Sequence, residues 1–187
     1  MKRDLRVSRT YPHPRALVWR ALTEPELLAE WLMPNDFRAE IGHAFTFTTK
    51  PAPGFDGIVH CEVLAIRAPE LLQLSWRGGS IDTRVTFRLE DAILYSRAAT
   101  RVVLEHTGFE GLEAILTSFI LEAGWRSMEK NTLARLLDRL TSDVAPTASA
   151  KNDRADNGGL WCWLARALAP IQRRLAKRTA KARGREP

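Results

Sequence analysis

The chain has 187 residues, 45% of them hydrophobic and 27% charged, a balance that suits a folded domain and excludes a wholly disordered chain. No stretch longer than nine residues lacks Asp, Glu, Lys and Arg, which excludes a membrane-spanning helix of about 20 apolar residues. The formal net charge of +6 lies in the last quarter, since residues 1–140 carry 18 basic and 18 acidic side chains and residues 141–187 carry 10 and 4; a basic nucleic-acid-binding face is therefore not expected on the folded part.

Leu5-Arg6-Val7-Ser8-Arg9-Thr10-Tyr11 alternates apolar and polar side chains and predicts a half-buried strand. His13-Pro14 opens a helix carrying Leu17, Val18, Ala21 and Leu22 at helical spacing. Thr23 and Glu26 have capping-box spacing and start a second short helix, whose apolar face is Leu27, Leu28, Trp31 and Leu32. Met33-Pro34-Asn35-Asp36 ends it.

From about 37 to 106 the pattern is strand after strand. The apolar members are Phe45 and Phe47, then Val59, Cys61 and Val63, then Leu72, Leu74 and Trp76, then Val85, Phe87 and Leu89, then Val102 and Leu104. Short turn-rich connectors imply antiparallel pairing, because a parallel crossover needs a dozen residues or more. One sheet face is apolar and needs a covering layer. Residues 112–140 supply it: Leu112, Ile115, Leu116, Phe119, Ile120 and Ala123 recur at helical spacing, and Trp125, Met128, Leu133, Leu136, Leu137 and Leu140 extend the face. Gly124 is the expected weak point. The fold class is α+β, a curved antiparallel sheet with two early helices and one long late helix.

Residues 141–159 hold almost no large apolar side chain and read as a flexible linker. Residues 160–187 read as a basic amphipathic helical tail. Leu160, Trp161, Leu164, Leu168, Ile171 and Leu175 share one helical face, Trp163 flanks it, and Arg173, Arg174, Lys177 and Arg178 stand among the basic residues around it. That pattern fits a helix lying on an anionic membrane surface, or one packing on the domain itself or on a partner helix. Pro170 interrupts it.

Phosphate-binding glycine loops and a nucleophile-elbow motif are absent from the sequence. The four histidines are scattered and the two cysteines, Cys61 and Cys162, lie far apart, so neither a metal site nor a disulfide framework is expected. No cofactor and no catalytic set emerge. A reducing, cytoplasmic setting follows from the cysteines and from a start without an apolar run. Trp31, Phe45, Phe47, Val59, Cys61, Trp76, Val85, Phe87, Leu104, Phe119 and Trp125 are expected to converge on one interior, with His106 continuing the inward register of Val102 and Leu104. This interior is either a plain core or a cavity that takes a small hydrophobic ligand. His106 is either a hydrogen-bonded structural histidine or a group facing the ligand.

Four pieces in order carry a family resemblance. Arg9-Thr10-Tyr11-Pro12-His13-Pro14-Arg15-Ala16-Leu17-Val18-Trp19 through Thr23-Glu24-Pro25-Glu26-Leu27-Leu28-Ala29-Glu30-Trp31 is similar to the opening of the bacterial homologues of the activator of heat-shock-protein-90 ATPase. Pro69-Glu70-Leu71-Leu72-Gln73-Leu74-Ser75-Trp76, Thr100 to Phe109 with His106-Thr107-Gly108 inside it, and Gly124-Trp125 resemble later pieces of the same family, within the SRPBCC or START-like superfamily. The resemblance covers roughly residues 4–140. It implies a helix-grip domain over 1–140, a sheet gripping a long C-terminal helix around an interior cavity. Asp91 to Ala99 departs from the family's Gly-rich turn, and residues 141–187 have no counterpart in it. Three functions stay open: a binding module for a hydrophobic, lipid-like or amphipathic ligand, a co-chaperone or protein-interaction domain with a chaperone partner, and a cyclase-like enzyme using the same interior.

Overall fold

The computed structural model of the chain describes residues 1–142 apart from Pro53. The linker from 143 onward and the amphipathic tail at 160–187 lie outside the described residues. Thr141 and Ser142, read from the sequence as linker, continue the last helix.

Six strands form one antiparallel sheet: β1 (Lys2–Tyr11), β2 (Ala44–Thr48), β3 (Ile58–Arg67), β4 (Leu71–Gly78), β5 (Ile81–Leu94) and β6 (Arg97–Glu110), in the order β1-β6-β5-β4-β3-β2. Strands β2 to β6 are a meander, and the first strand adds beside the last. Register breaks between Arg3 and Leu5 on β1 and between Val63 and Ala65 on β3. Such irregularities bend a sheet and help it wrap what lies on its apolar face. The inward members of each strand are those expected from the alternation, and each is buried.

Two short helices, α1 (Arg15–Thr23) and α2 (Pro25–Trp31), follow β1. The expected capping box is not formed. Glu24 takes the N-cap position without a side-chain cap, Pro25 stands in the first turn, and the Thr23 hydroxyl donates back to the Trp19 carbonyl at 2.8 Å. Proline carries no N–H, so one fewer donor at this helix start needs a partner.

The long C-terminal helix runs as α3 (Leu112–Ser127), a π-helical segment (Met128–Leu133) and α4 (Ala134–Ser142). Gly124 neither breaks nor kinks it into separate helices. It is buried inside α3, and the irregular backbone begins four residues later. The face that α3 buries also differs from the expected one. Ala114, Ser118, Leu121, Gly124 and Trp125 face inward, while Leu112 and Phe119 are more than half exposed. The physical reason is close approach. Small side chains at 114, 118 and 124 let the helix lie on β1 and β6, and a large-residue pattern alone misses that face. Arg3 fixes the arrangement: its guanidinium donates to Ser118 and pairs with Glu122, and it covers the Phe119 ring at 3.8 Å from the centroid.

The β5–β6 hairpin turns at Tyr95 and Ser96, whose φ values of 51° and 60° fall in the left-handed region. Two-residue turns of this type usually carry Asn-Gly, so this tip is held without the residues that fit it best. Ile93 and Tyr95 are exposed there.

Candidate functional site

The interior between sheet and long helix is a continuous run of aromatic rings. Trp31, at the end of α2, meets Phe87 of β5 edge-on at 6.3 Å between centroids. Phe87 meets Trp125 of α3 at 5.9 Å, and Trp125 meets Trp76 of β4 at 5.4 Å. Trp76 continues to Phe47 at 5.5 Å, and Phe47 to Phe45 at 5.2 Å, both on β2. Each of these rings is almost fully removed from solvent. Edge-to-face and tilted contacts at such separations add about 0.5–1.5 kcal/mol per pair beyond the burial of area. Trp31 is oriented by its indole N–H, which donates to the Ala21 carbonyl at 2.8 Å.

Of the twelve residues expected inside, eleven are buried: Trp31, Phe45, Phe47, Val59, Cys61, Trp76, Val85, Phe87, Leu104, His106 and Trp125. Phe119 is the exception. At 55% exposure it stands on the outer side of α3 beneath Arg3, because the helix turns its small residues inward. The Cys61 thiol is pushed up to about 12 by burial, which makes it an apolar filler and not a nucleophile.

His106 is fully buried, and both ring nitrogens are occupied. The Trp125 indole N–H donates to Nδ1 at 3.2 Å. Nδ1 is thereby the acceptor, so Nε2 carries the proton and donates to the Thr83 hydroxyl at 2.8 Å. Thr83 in turn donates to the Trp76 carbonyl at 2.9 Å. Burial pulls the imidazole down to about 3, so it stays neutral across ordinary pH. Of the two readings of His106, the hydrogen-bonded structural histidine is the one the geometry matches. A proton-transfer role would need a ring nitrogen open to a reacting atom.

A buried acidic residue is absent from the sequence reading. Glu129 lies in the π-helical segment and is 2% exposed. Among the described residues, neither carboxyl oxygen has a hydrogen-bond partner. Burial raises its proton affinity to about 8, and the charges of Arg9 and Arg126 oppose that rise. The Tyr11 hydroxyl donates to the Glu129 main-chain carbonyl at 2.8 Å, which ties this turn to β1. Desolvation raises the Tyr11 phenol, and the neighbouring Glu129 raises it further. A signal for Glu129 was present in the sequence: Trp125, Glu129 and Leu133 recur in steps of four, which puts a carboxyl inside an apolar stripe.

Among the described residues no group of three His, Cys, Asp or Glu side chains is placed to hold a metal ion. No helix there is long and apolar enough to cross a membrane.

A sequence model of the family described as activator of Hsp90 ATPase homolog 1-like protein matches residues 12–138. Among solved structures, protein MLL2253 from Mesorhizobium loti is 32% identical, with a TM-score of 0.63 over 73% of this chain and 98% of that one. CalU16 from Micromonospora echinospora is 19% identical with a TM-score of 0.56, over 88% of this chain and 89% of that one. The Aha1 dimer from Colwellia psychrerythraea is 14% identical with a TM-score of 0.58, over 72% of this chain and 96% of that one. The last two likenesses show the fold alone. No curated protein matches this chain.

Proposed function

The chain belongs to the family of activator of Hsp90 ATPase homolog 1-like proteins, and we propose that it is a binding module for a small hydrophobic or amphipathic ligand. The observation that carries this reading is the run of aromatic rings from Trp31 to Phe45, clasped between one helix and the concave sheet. Those rings present π faces and edges to any flat apolar group that parts them. The clasping helix departs from α geometry at Met128–Leu133, beside the Trp31 end of the run, where the Thr132 hydroxyl reaches the Trp31 carbonyl at 2.9 Å. Short π segments often mark functional positions in helices. The cyclase-like alternative is weaker, because His106 has both ring nitrogens engaged.

Native mass spectrometry of freshly purified full-length protein tests the reading, together with titration by an anilinonaphthalene sulfonate dye. A co-purifying small-molecule mass, or saturable one-to-one dye binding that a Trp125→Ala variant weakens, is the expected result. Absence of both overturns it.

We further propose that the basic amphipathic segment at 160–187 brings the domain to an anionic membrane surface. Its support is the sequence pattern: Leu160, Trp161, Leu164, Leu168, Ile171 and Leu175 on one face, Trp163 on its flank, Lys and Arg around them.

A further inference from the structure

Helix α3 is apolar on two sides. Opposite the small-residue face that lies on β1 and β6, it carries Leu112, Ile115, Leu116, Phe119, Ile120 and Ala123 at the spacing of one stripe. Leu112 and Phe119 are more than half exposed, Ala123 is exposed, and Ile115, Leu116 and Ile120 are half-buried. Arg3 reaches from β1 to the Phe119 ring, which stays 55% exposed even so. A helix at the surface of a domain ordinarily turns polar side chains outward, and one that is apolar all round is ordinarily covered. Helix α4 follows the ordinary pattern, with Leu136 and Leu137 buried and Arg135, Asp138 and Arg139 exposed. A contiguous apolar stripe left on one stretch of a surface helix marks a docking face.

We propose that, away from a membrane, residues 160–171 of the same chain cover this stripe as a helix antiparallel to α3, with Leu160, Trp161, Leu164 and Leu168 seated on Leu116, Phe119 and Ile120. The length of chain beyond Ser142 brings them there. His13 holds the last turn of α4, through Asp138 at 2.9 Å and the Thr141 hydroxyl at 3.0 Å, so the chain leaves the domain from a fixed point. The way back from Ser142 to Ala123 is about 28 Å along the helix, at roughly 1.5 Å per residue. The 17 residues 143–159, read from the sequence as linker, span about 21–25 Å as a root-mean-square coil and at most about 60 Å when extended. Leu160 therefore arrives beside the C-terminal end of the stripe, and the tether gives it a high effective concentration that a separate molecule lacks. The two stripes also match in length, since Leu112 to Ala123 and Leu160 to Ile171 are each eleven steps. In this direction Arg173, Arg174 and Lys177, past Pro170, fall beside the first turn of α3, where Glu113 is exposed, so opposite charges meet. The inference does not rest on the ligand reading. It shares the apolar stripe of the tail with the membrane reading, so an anionic surface must lift this segment off α3 in order to hold it.

Cys162 provides the test in the full chain. It lies off the apolar stripe of the tail, and Cys61 is buried, so a nitroxide thiol reagent labels Cys162 alone. Backbone amide spectra of isotope-enriched, spin-labelled protein are compared before and after ascorbate reduces the nitroxide. The expected result is loss of the amide peaks of Leu116 to Ala123 in the oxidised sample, with those of β2, at the opposite edge of the sheet from β1, retained. Leu164→Asp combined with Leu168→Asp changes nothing in the domain core and should restore the lost peaks, as should Phe119→Ser on the seat. A weak loss spread evenly over the domain, a loss centred away from α3, or a loss that survives the paired Asp substitutions overturns the proposal. When isotope and nitroxide are carried by separate copies mixed together, the α3 peaks should remain; their loss would make the occupant a second copy and the intramolecular seat wrong. No vesicle is present in these samples, so failure of the seat and failure of the membrane reading are told apart.

Discussion

The Trp125 indole N–H ends on His106 Nδ1, 3.2 Å away, and so joins the long helix to the sheet inside the core. That contact also orders a relay, because a ring nitrogen that accepts at Nδ1 must donate at Nε2, to Thr83 and through it to the Trp76 carbonyl. A neutral imidazole is thereby fully satisfied without water.

The relay predicts a cooperative stability loss. Trp125→Phe leaves the His106 acceptor bare and opens a gap beside Trp76, and should lower unfolding stability by about 2 kcal/mol or more. Thr83→Val removes the hydroxyl that His106 needs and should lower it by about 1–3 kcal/mol. Because both changes break one network, their double variant should lose less than the two losses combined. Urea denaturation of the four proteins of this cycle measures it, and strict additivity would contradict the relay.

Cys61 provides a second prediction. Its thiol is buried on β3 and raised to about 12, so only a minute fraction is thiolate at neutral pH. In a Cys162→Ser background, a thiol reagent should label native protein at least a hundredfold more slowly than urea-unfolded protein, roughly the reach of local opening in a stable core. Labelling at similar rates would show that β3 is accessible from solvent.

Much of this was legible in the sequence, for a physical reason. Period-two alternation is forced on any strand with one buried face, so Phe45, Phe47, Trp76, Phe87, Leu104 and His106 declare their side directly. The long helix was harder. Its buried face in α3 holds Ala114, Ser118 and Gly124 because the helix lies close to the sheet, and small residues carry little hydrophobic signal. Phe119, the largest apolar residue of that turn, instead packs outside under Arg3. Arg3 and Phe119 are far apart in the chain, so their pairing cannot be read locally. Glu129 does not stand out in the sequence because an acidic residue is usually a solvated one; only its four-residue spacing from Trp125 and Leu133 marks it as inward.

The tail carries a third prediction. If residues 160–187 hold the domain on an anionic surface, the full chain should co-sediment with vesicles rich in phosphatidylserine and a chain ending at Ser142 should not. Each Lys or Arg near such a surface contributes about 1 kcal/mol, and the attraction is screened by salt. Binding should therefore fall steeply between low and high salt, and should be weak on neutral phosphatidylcholine vesicles. Equal sedimentation of the two chains would remove the membrane reading.

The last prediction follows from having two buried titratable groups shifted in opposite senses. The Glu129 carboxyl moves from an ordinary 4.5 up to about 8 on folding. Between those values the folded state holds a proton that the unfolded state has released, so stability falls as pH rises through this range and its full contribution exists only below about 4.5. The His106 imidazole moves from an ordinary 6.5 down to about 3. Between those values the unfolded state holds the extra proton, so stability is complete above about 6.5 and falls as pH drops toward 3. From about 4.5 to 6.5 the two proton balances cancel, and outside that window each group acts alone. The expected profile of unfolding stability is therefore a plateau near pH 4.5–6.5 with a decline on either side, each limb of the order of a few kcal/mol. Glu129→Gln should remove the alkaline limb and, with nothing left to cancel it, let the acid decline begin near pH 6.5 instead of 4.5. His106→Gln should do the reverse, on a protein already weakened by the loss of its relay. Chemical denaturation from about pH 3 to 9 reads both limbs. An alkaline decline unchanged in Glu129→Gln would show that this carboxyl does not keep its proton inside the fold.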